Sequence, residues 1–246
     1  SYYLKEYFEG KECNVREYQD SSRVVEQMAL LHRAMELPEF VKENNLIPYS
    51  LPREFEKHTR ELKKVKKYLK SKRQKSDFEY FLYQNFVFFL QKAEKILEEV
   101  NTCPQTFSEE NLLKKGSLCH GDFQHHNALF TNGEVCFINF ERYVLDNPMR
   151  DLSLFFRKMM EKNNWRGELG QFVLQNYQKQ KPISEEDRLQ LYYRLSYPEK
   201  FWKIVNFYFN SGKAWIPEKN REKLVTLAGQ EQQKQDFLNA VFRTVS

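Results

Sequence analysis

The sequence predicts an α+β domain that is mostly α, with one small β-hairpin. Long segments repeat apolar residues at helical spacing behind recognisable N-caps. One short segment, residues 128–140, instead reads "ALFT" and "EVCFINF" on either side of Asn132-Gly133. Apolar residues three or four positions apart share one face of a helix, whereas an Asn-Gly pair between apolar runs is the strongest short hairpin signal. The two periodicities together predict the fold class.

Length, composition and charge restrict the class of protein. The chain has 246 residues, 30% charged and 41% hydrophobic, which is typical of a soluble protein with one large domain or two small ones. It has no apolar run of the length a spanning helix needs, and "SYYLKEYFEG" lacks the pattern of a signal peptide. The formal charge of +5 is compatible with phosphate-bearing ligands without being diagnostic of them.

The four cysteines, Cys13, Cys103, Cys119 and Cys136, are widely spaced and form no CxxC pair. This pattern favours reduced thiols of an intracellular protein over a disulfide framework or a zinc site.

The N-terminal third predicts an extended segment and two helices. Residues 2–8 read as extended chain closing at Gly10. Asp20, Ser21 and Ser22 offer N-caps for a helix with an apolar face. Residues 53–75 are mostly charged with a narrow apolar stripe, and their basic run "LKKVKKYLKSKRQK" favours a solvated helix face over a nucleic-acid or membrane patch.

The remaining helices are predicted from caps. Ser76 and Glu79 form a capping box ahead of a long helix. Its apolar stripe, which predicts a buried spine, is Phe78, Leu82, Phe86, Phe89, Ala93, Ile96 and Val100. Further helices are expected after Asn147-Pro148, at Ser184 with Asp187, after Pro198, and as a single amphipathic helix over residues 218–245.

Chemistry-bearing residues lie in "LCHGDFQHHNALFTNGEVCFINFER", residues 118–142. Phosphoryl transfer needs a carboxylate that orients the accepting hydroxyl and oxygen ligands that hold Mg²⁺. Asp122 and Asn127 have the spacing for these two tasks, and the hairpin returns a third oxygen near Asn139. His120 would support the loop by hydrogen bonding, and Gly121 allows backbone geometry that a side chain would hinder.

Two other interpretations of this loop stay open on spacing alone. It could be a polar loop that leads into a hairpin without any chemistry. A zinc site on His120, His125 and His126 is disfavoured, because no Cys or Glu completes a familiar ligand spacing.

The segments "HGDFQHHNALF" and "VCFINFERYVLDNPMRDLSLFFR" resemble the aminoglycoside phosphotransferase and choline kinase superfamily. "YYLKEYFEGKEC", "MALLHRAM", "YPEKFWKIVNFYFN" and "SGKAW" narrow the resemblance to the CotS family of spore-coat-associated kinase-like proteins. The resemblance implies the helical C-terminal lobe of a protein-kinase-like fold, with the hairpin carrying the site. It also implies ATP and Mg²⁺ as cofactors.

The resemblance assigns roles to individual residues. Asp122 and His120 belong to the catalytic loop, Asp122 as the catalytic aspartate, and Asn127 is a metal ligand. Asn139 stands where the superfamily has a second metal-binding aspartate. Gly121 and a buried Asp151 are structural supports of the loop. The adenine-contacting hinge strand would be Leu4, Lys5, Glu6 and Tyr7.

The chain departs from the superfamily pattern in two respects. It starts at the hinge, so residues 1–10 are expected to be a remnant of a missing N-terminal lobe and residues 11–246 the kinase-like helical lobe. Asn139 removes one negative charge from the metal site. If residues 139–141 continue an extended strand, Glu141 points to the same side as Asn139 and could be a substitute ligand.

Three functions follow as hypotheses. The first is ATP- and Mg²⁺-dependent phosphoryl transfer to a hydroxyl of an unknown acceptor, impaired by Asn139. The second is a non-catalytic scaffold of the spore coat, and the third a small-molecule kinase of the choline or aminoglycoside type. The expected location is the mother-cell cytoplasm or the assembled coat, with other coat proteins as possible partners. No nucleic-acid partner or membrane span is expected.

Overall fold

A computed structural model describes residues 7, 9–36, 48–210 and 218–242. Most of these residues are helical, as the sequence predicts. The helices are α1 (Tyr18–Ala34), α2 (Leu51–Ser71), α3 (Asp77–Asn101), α4 (Glu109–Lys115), α5 (Met149–Lys162), α6 (Gly167–Gln180), α7 (Glu185–Ser196), α8 (Glu199–Asn210), α9 (Glu218–Gly229) and α10 (Glu231–Phe242). Among the described helices, none combines the length and the hydropathy that crossing a membrane requires.

In the described part of the chain, five short strands form two small antiparallel sheets. They are β1 (Lys11–Glu12), β2 (Ser117–Cys119), β3 (Ala128–Thr131), β4 (Glu134–Phe137) and β5 (Val144–Asp146). One sheet has the order β1-β3-β4, and β2 pairs with β5 in the other. The predicted hairpin is β3–β4: its turn residues Asn132 and Gly133 both have positive φ, the geometry for which Asn-Gly is preferred.

Several predicted helix starts are confirmed. Capping boxes are formed by Ser76 with Glu79 and by Ser184 with Asp187. The Asn147 side chain accepts a hydrogen bond from the Met149 N–H at 2.8 Å, which satisfies one of the free donors at the start of α5. Helix α8 begins directly after Pro198, at Glu199.

Two boundaries differ from the prediction. Helix α1 starts at Tyr18, ahead of the predicted caps, because the Asp20 carboxylate accepts from the Asn14 N–H and does not cap the helix. The C-terminal segment forms two helices, α9 and α10, because α9 ends at Gly229 and Gln230 turns the chain before α10. Glycine is a poor residue for a helix interior, which explains the break.

Buried apolar side chains form two clusters that α7 joins. One cluster packs α1, α5, α6 and α10 against the hairpin and the loop residue Phe123. The other packs α2, α3, α8 and α9, and includes the whole predicted stripe of α3. Helix α7 contributes Leu191 and Leu195 to the first cluster and Tyr193 to the second. The loop that carries the candidate chemistry lies against the first.

Candidate active site

Sheet pairing positions the loop at residues 120–127. Strand β2 ends at Cys119, and its pairing with β5 places the loop close to the start of α5, which follows β5. The loop then turns through a short 3₁₀ helix, His125–Asn127, into β3. As a result, its backbone comes within hydrogen-bond reach of a side chain in the first turn of α5.

That side chain is Asp151, which is fully buried. Its carboxylate accepts hydrogen bonds from the backbone N–H of His120 at 2.6 Å and of Gly121 at 2.9 Å. His32 of α1 contacts the same carboxylate through Nε2 at 3.4 Å. Burial raises the pKa of the Asp151 carboxyl, but the bonds from His32 and the two N–H groups outweigh burial and hold its pKa below the ordinary value.

His120 and Gly121 fit the loop by geometry. His120 is buried; its Nε2 lies 2.8 Å from the Ile138 carbonyl oxygen, and its Nδ1 accepts from the Asp122 N–H at 3.2 Å. Both contacts are satisfied by the tautomer with hydrogen on Nε2. Gly121 has φ +80°, and a Cβ there would collide with the carbonyl oxygen of Arg142. Only glycine is therefore compatible with the observed loop.

The Asp122 carboxylate lies on the open side of the loop. Its side chain is 30% exposed, and Oδ1 accepts from Gln124 Nε2 at 2.7 Å. Oδ2 is 3.8 Å from the Arg142 guanidinium, whose side chain is 76% exposed. An ion pair so exposed contributes little and is screened by salt, so this oxygen is available to an incoming hydroxyl.

Asn127 and Asn139 are brought together. Asn139 Nδ2 donates to Asn127 Oδ1 at 2.9 Å, while Asn127 Nδ2 donates to the Asp122 carbonyl oxygen at 2.9 Å. Asn139 has φ +67°, a left-handed conformation that asparagine tolerates better than most residues.

The donor set of this pair fits Mg²⁺ in spacing but not in charge. Two adjacent oxygen ligands of an octahedral Mg²⁺ site, each about 2.1 Å from the ion, are about 3 Å apart. A half-turn of the Asn139 amide would place its oxygen at that separation from Asn127 Oδ1, because the two amide atoms are now 2.9 Å apart. Both amide groups are neutral, however, so the negative charge that stabilises the bound ion would have to come from other oxygen ligands.

The geometric reason for adding Glu141 to the metal ligands does not hold. Strand β4 ends at Phe137, and residues 140–142 form a 3₁₀ helix after the left-handed Asn139. The expected extended run through residue 141 is therefore wrong, and Glu141 does not share the side of a strand with Asn139. Glu141 as a ligand stays a prediction without that support.

The hinge assignment is largely outside the described residues. Leu4, Lys5 and Glu6 are not among them, and Tyr7 is 87% exposed. The first described strand is β1, which pairs with β3 and so extends the sheet of the hairpin. The nucleotide-contacting role of residues 4–7 stays a prediction.

Asp122 opens into a large cleft of about 1300 Å³. Its walls come from both apolar clusters, since they include side chains of α2, α5, α8 and α9. Within the described residues, Glu54, His58 and Glu199 in this cleft form a group whose ligand atoms lie within 4.8 Å of one another. Their geometry is that of ion pairs: His58 Nδ1 is 3.1 Å from Glu199, and Arg150 is 3.7 Å from Glu54.

Sequence reasoning missed the groups that hold and surround the loop. His32 is 119 positions from Asp151, and Gln124 and Arg142 had no assigned role. A local motif gives no signal for His32, because its partner becomes a neighbour only when α1 packs beside α5. Gln124 lies inside the quoted loop only two positions after Asp122, and this short spacing could have predicted their hydrogen bond.

Comparison with protein families gives one match over nearly the whole chain. The model described as Spore coat putative kinase YutH matches residues 8–241. That range includes His32, the loop at residues 120–127, Asn139 and Asp151, but not Tyr7.

Three solved structures of similar fold are described as phosphotransferases or kinases. The crystal structure of an aminoglycoside phosphotransferase from Alicyclobacillus acidocaldarius has a TM-score of 0.84 at 20% identity, over 98% of this chain and 70% of that one. A choline kinase from Cryptosporidium parvum matches with a TM-score of 0.52 at 17% identity. The match covers 96% of this chain and 71% of that one. A spectinomycin phosphotransferase in complex with ADP and spectinomycin matches with a TM-score of 0.53 at 16% identity. The match covers 92% of this chain and 65% of that one. The chain therefore has the aminoglycoside phosphotransferase and choline kinase fold, and spans about two thirds of these proteins' length.

Proposed function

Because the chain belongs to the Spore coat putative kinase YutH family, we propose that it transfers the γ-phosphate of ATP to a hydroxyl group. The observation that supports this most is the Asp122 carboxylate, which faces the cleft from a loop fixed on its buried side. Phosphoryl transfer depends mainly on positioning and electrostatics, so a rigidly placed carboxylate is the part the protein must supply.

In this proposal each loop residue has a stated task. Asp122 accepts the hydrogen of the acceptor hydroxyl and aligns its oxygen toward the γ-phosphorus. Asp151 and His120 hold the loop backbone in place, so they are positioning residues. Asn127 and Asn139 would hold Mg²⁺, which when bound neutralises charge on the nucleotide phosphates. Residues 4–7 would contact the adenine.

The site of action proposed for this activity is the forming spore, in the mother-cell cytoplasm or the assembled coat. The family's description as a spore coat kinase supports it. Other coat proteins are the partners expected there.

A non-catalytic scaffold is the second candidate, and one observation favours it. The hydrogen bond from Asn139 Nδ2 occupies, without a metal, the Asn127 oxygen that would bind the ion. With aspartate at position 139 two oxygens would face each other there, and a bound cation would relieve the repulsion. The pair therefore stabilises a metal-free state.

A small-molecule kinase of the choline type is supported less. Choline is a cation, and among the described residues the cleft beside Asp122 is lined by twelve lysines and arginines against five carboxylates. A cation would be repelled from such a site.

Thermal denaturation of the full-length protein with ATP and Mg²⁺ tests the proposal. A ligand that binds the native state raises its apparent stability, so we expect ATP with Mg²⁺ to stabilise more than ATP alone. Release of phosphate from ATP to water measures transfer when no acceptor is supplied. Asp122→Asn should retain the stabilisation and lose the release. No stabilisation at millimolar nucleotide would favour the scaffold.

A further inference from the structure

The cleft beside Asp122 concentrates positive charge. Its lining includes twelve lysines and arginines and five carboxylates, whereas the whole chain has 39 basic and 34 acidic residues. The charge imbalance of the cleft therefore exceeds that of the entire protein. A concave surface of one sign focuses the electrostatic potential and raises the local concentration of oppositely charged ligands.

Some of these basic groups are neutralised within the fold. Arg150 and Arg194 lie 3.3 Å and 2.7 Å from the buried Asp146 carboxylate. Lys200 is paired with Glu161 at 2.7 Å. These ion pairs hold the walls of the cleft together and leave little charge for a ligand.

Other basic groups in the cleft have no carboxylate partner among the described residues. They include Arg157, Lys158 and Lys162 on α5 and Lys219 and Lys223 on α9. Burial lowers the pKa of Lys158, and the neighbouring Lys162, Lys200 and Arg157 lower it further against the opposing effect of Glu161. The folded protein thus keeps like charges together at a cost in stability, which is typical of a binding site.

Buried donors in the same walls also lack acceptors. Within the described part of the chain, no hydrogen-bond partner is found for Arg150 Nε, Arg194 Nε or Asn220 Nδ2. All three belong to residues that line the cleft. A buried N–H without an acceptor costs free energy, so the walls of the cleft carry a polar cost of their own.

A solvated helix face is the simpler explanation of basic residues, and it fits another part of this protein. The second half of α2 carries Lys64, Lys67 and Lys70, which are exposed and lie outside the cleft. The cleft lysines differ because they come from separate helices and converge on a concavity that contains Asp122. Convergence of that kind selects a ligand rather than solvent.

We propose that the acceptor is an anionic hydroxyl compound, which carries phosphate or carboxylate groups beside the hydroxyl that Asp122 orients. This inference rests on the proposed phosphoryl transfer. The acceptor oxygen forms a bond to the γ-phosphorus of ATP, the bond from that phosphorus to the bridging oxygen of ADP breaks, and the hydroxyl proton passes to Asp122. Arg157, Lys158 and Lys162 bind the acceptor's existing anionic group.

Calorimetry with three hexose probes tests the inference without nucleotide. Glucose 6-phosphate carries phosphate, gluconate carries a carboxylate, and glucose is neutral. We expect the two anions to bind with an affinity that falls as salt rises, and glucose not to bind. Replacing Arg157, Lys158 and Lys162 together by Gln should weaken anion binding about tenfold or more. The matched control replaces Lys64, Lys67 and Lys70 by Gln. This variant should change the affinity for the anions less than about twofold.

Each other outcome has a defined meaning. Equal binding of glucose and glucose 6-phosphate, or equal losses in the two triple variants, would overturn the anionic acceptor. Loss of ATP binding in the cleft variant would also overturn it, since the charges would then serve the nucleotide phosphates. Anion binding that depends on the cleft in a protein that binds no ATP would support the anion site and contradict the proposed phosphoryl transfer, so the two failures are distinguishable.

Discussion

The loop at residues 120–127 and the turn at residues 139–142 face each other across one site, but the fold holds them differently. The loop is anchored by the buried Asp151, which binds two of its backbone N–H groups and His32. The turn is mostly exposed, and its side-chain contacts with the loop include the hydrogen bond from Asn139 to Asn127, the Phe140 ring beside His120 and the exposed Arg142 near Asp122. The position of Asp122 is therefore part of the stability of the fold, whereas the metal side can change without unfolding the protein.

Asp151→Asn should have the largest effect on stability. The amide NH₂ would replace one acceptor oxygen and face a donor, leaving a buried group unpaired, so we expect a loss on the order of 3–5 kcal/mol in the free energy of unfolding at pH 7. The folded-state pKa of Asp151 is depressed, so its stabilisation is present above its ordinary pKa of 3.8 and is lost as pH falls through the folded value. Urea unfolding at pH 7 and pH 3 should show the gap between the two proteins narrowing at the lower pH.

The exposed Asp236 of α10 supplies the control for that measurement. Asp236→Asn removes the same charge from the surface and should shift stability by less than about 0.5 kcal/mol. Equal losses for the two variants would mean that Asp151 does not anchor the loop.

Gly121→Ala should have the next largest effect. Gly121 and Gly133 have nearly the same backbone, φ +80° and φ +81°, but only Gly121 faces the Arg142 carbonyl; around Gly133 there is open space. Gly133→Ala therefore costs only the backbone strain, about 1 kcal/mol. Gly121→Ala adds a steric clash, and we expect a further loss of about 2 kcal/mol. Thermal denaturation of both variants measures the difference, and identical melting temperatures would contradict the tight fit of the loop to the turn.

The same contrast explains what the sequence could predict. Capping at Ser76, the turn at Asn132-Gly133 and the spacing of Asp122 and Asn127 are local, because the interacting groups are only a few positions apart. These features were predicted, and the structure brings Asp122 and Asn127 together in one loop. A short motif is sufficient where the physics is short-range.

Long-range features were not predictable in this way. His32 reaches Asp151 only when α1 packs beside α5, and the cleft charges on α5 and α9 converge only in the folded chain. The left-handed Asn139 was missed because the apolar pattern of β4 continues through Ile138 and Phe140 in sequence. In the structure the ladder continues one step further, through the bond from Ile138 N–H to the Asn127 carbonyl, and Asn139 then leaves the extended region. Periodicity does not detect a single residue that changes backbone region.

Asn139→Asp tests whether the turn is the adjustable part. Without metal, the variant loses the bond to Asn127 and places a carboxylate near its oxygen, so we expect a loss of about 1 kcal/mol in stability. With Mg²⁺, the added charge should strengthen Mg²⁺-dependent nucleotide binding about tenfold. Urea unfolding in EDTA and calorimetry with ATP and Mg²⁺ measure the two effects. An unchanged nucleotide affinity would contradict a metal role for position 139.

Glu141→Gln should have the smallest effect, and it tests whether the metal site extends to Glu141. Glu141 lies in the 3₁₀ turn after Asn139, so no strand geometry directs its side chain toward the Asn127–Asn139 pair. We therefore expect the change to alter Mg²⁺-dependent nucleotide affinity less than about twofold, the range of a surface charge screened by solvent. The same calorimetric titration as for Asn139→Asp measures it. A tenfold loss would instead identify Glu141 as the carboxylate that compensates for Asn139, and the turn would then be as closely adapted to the metal as the loop is to Asp151.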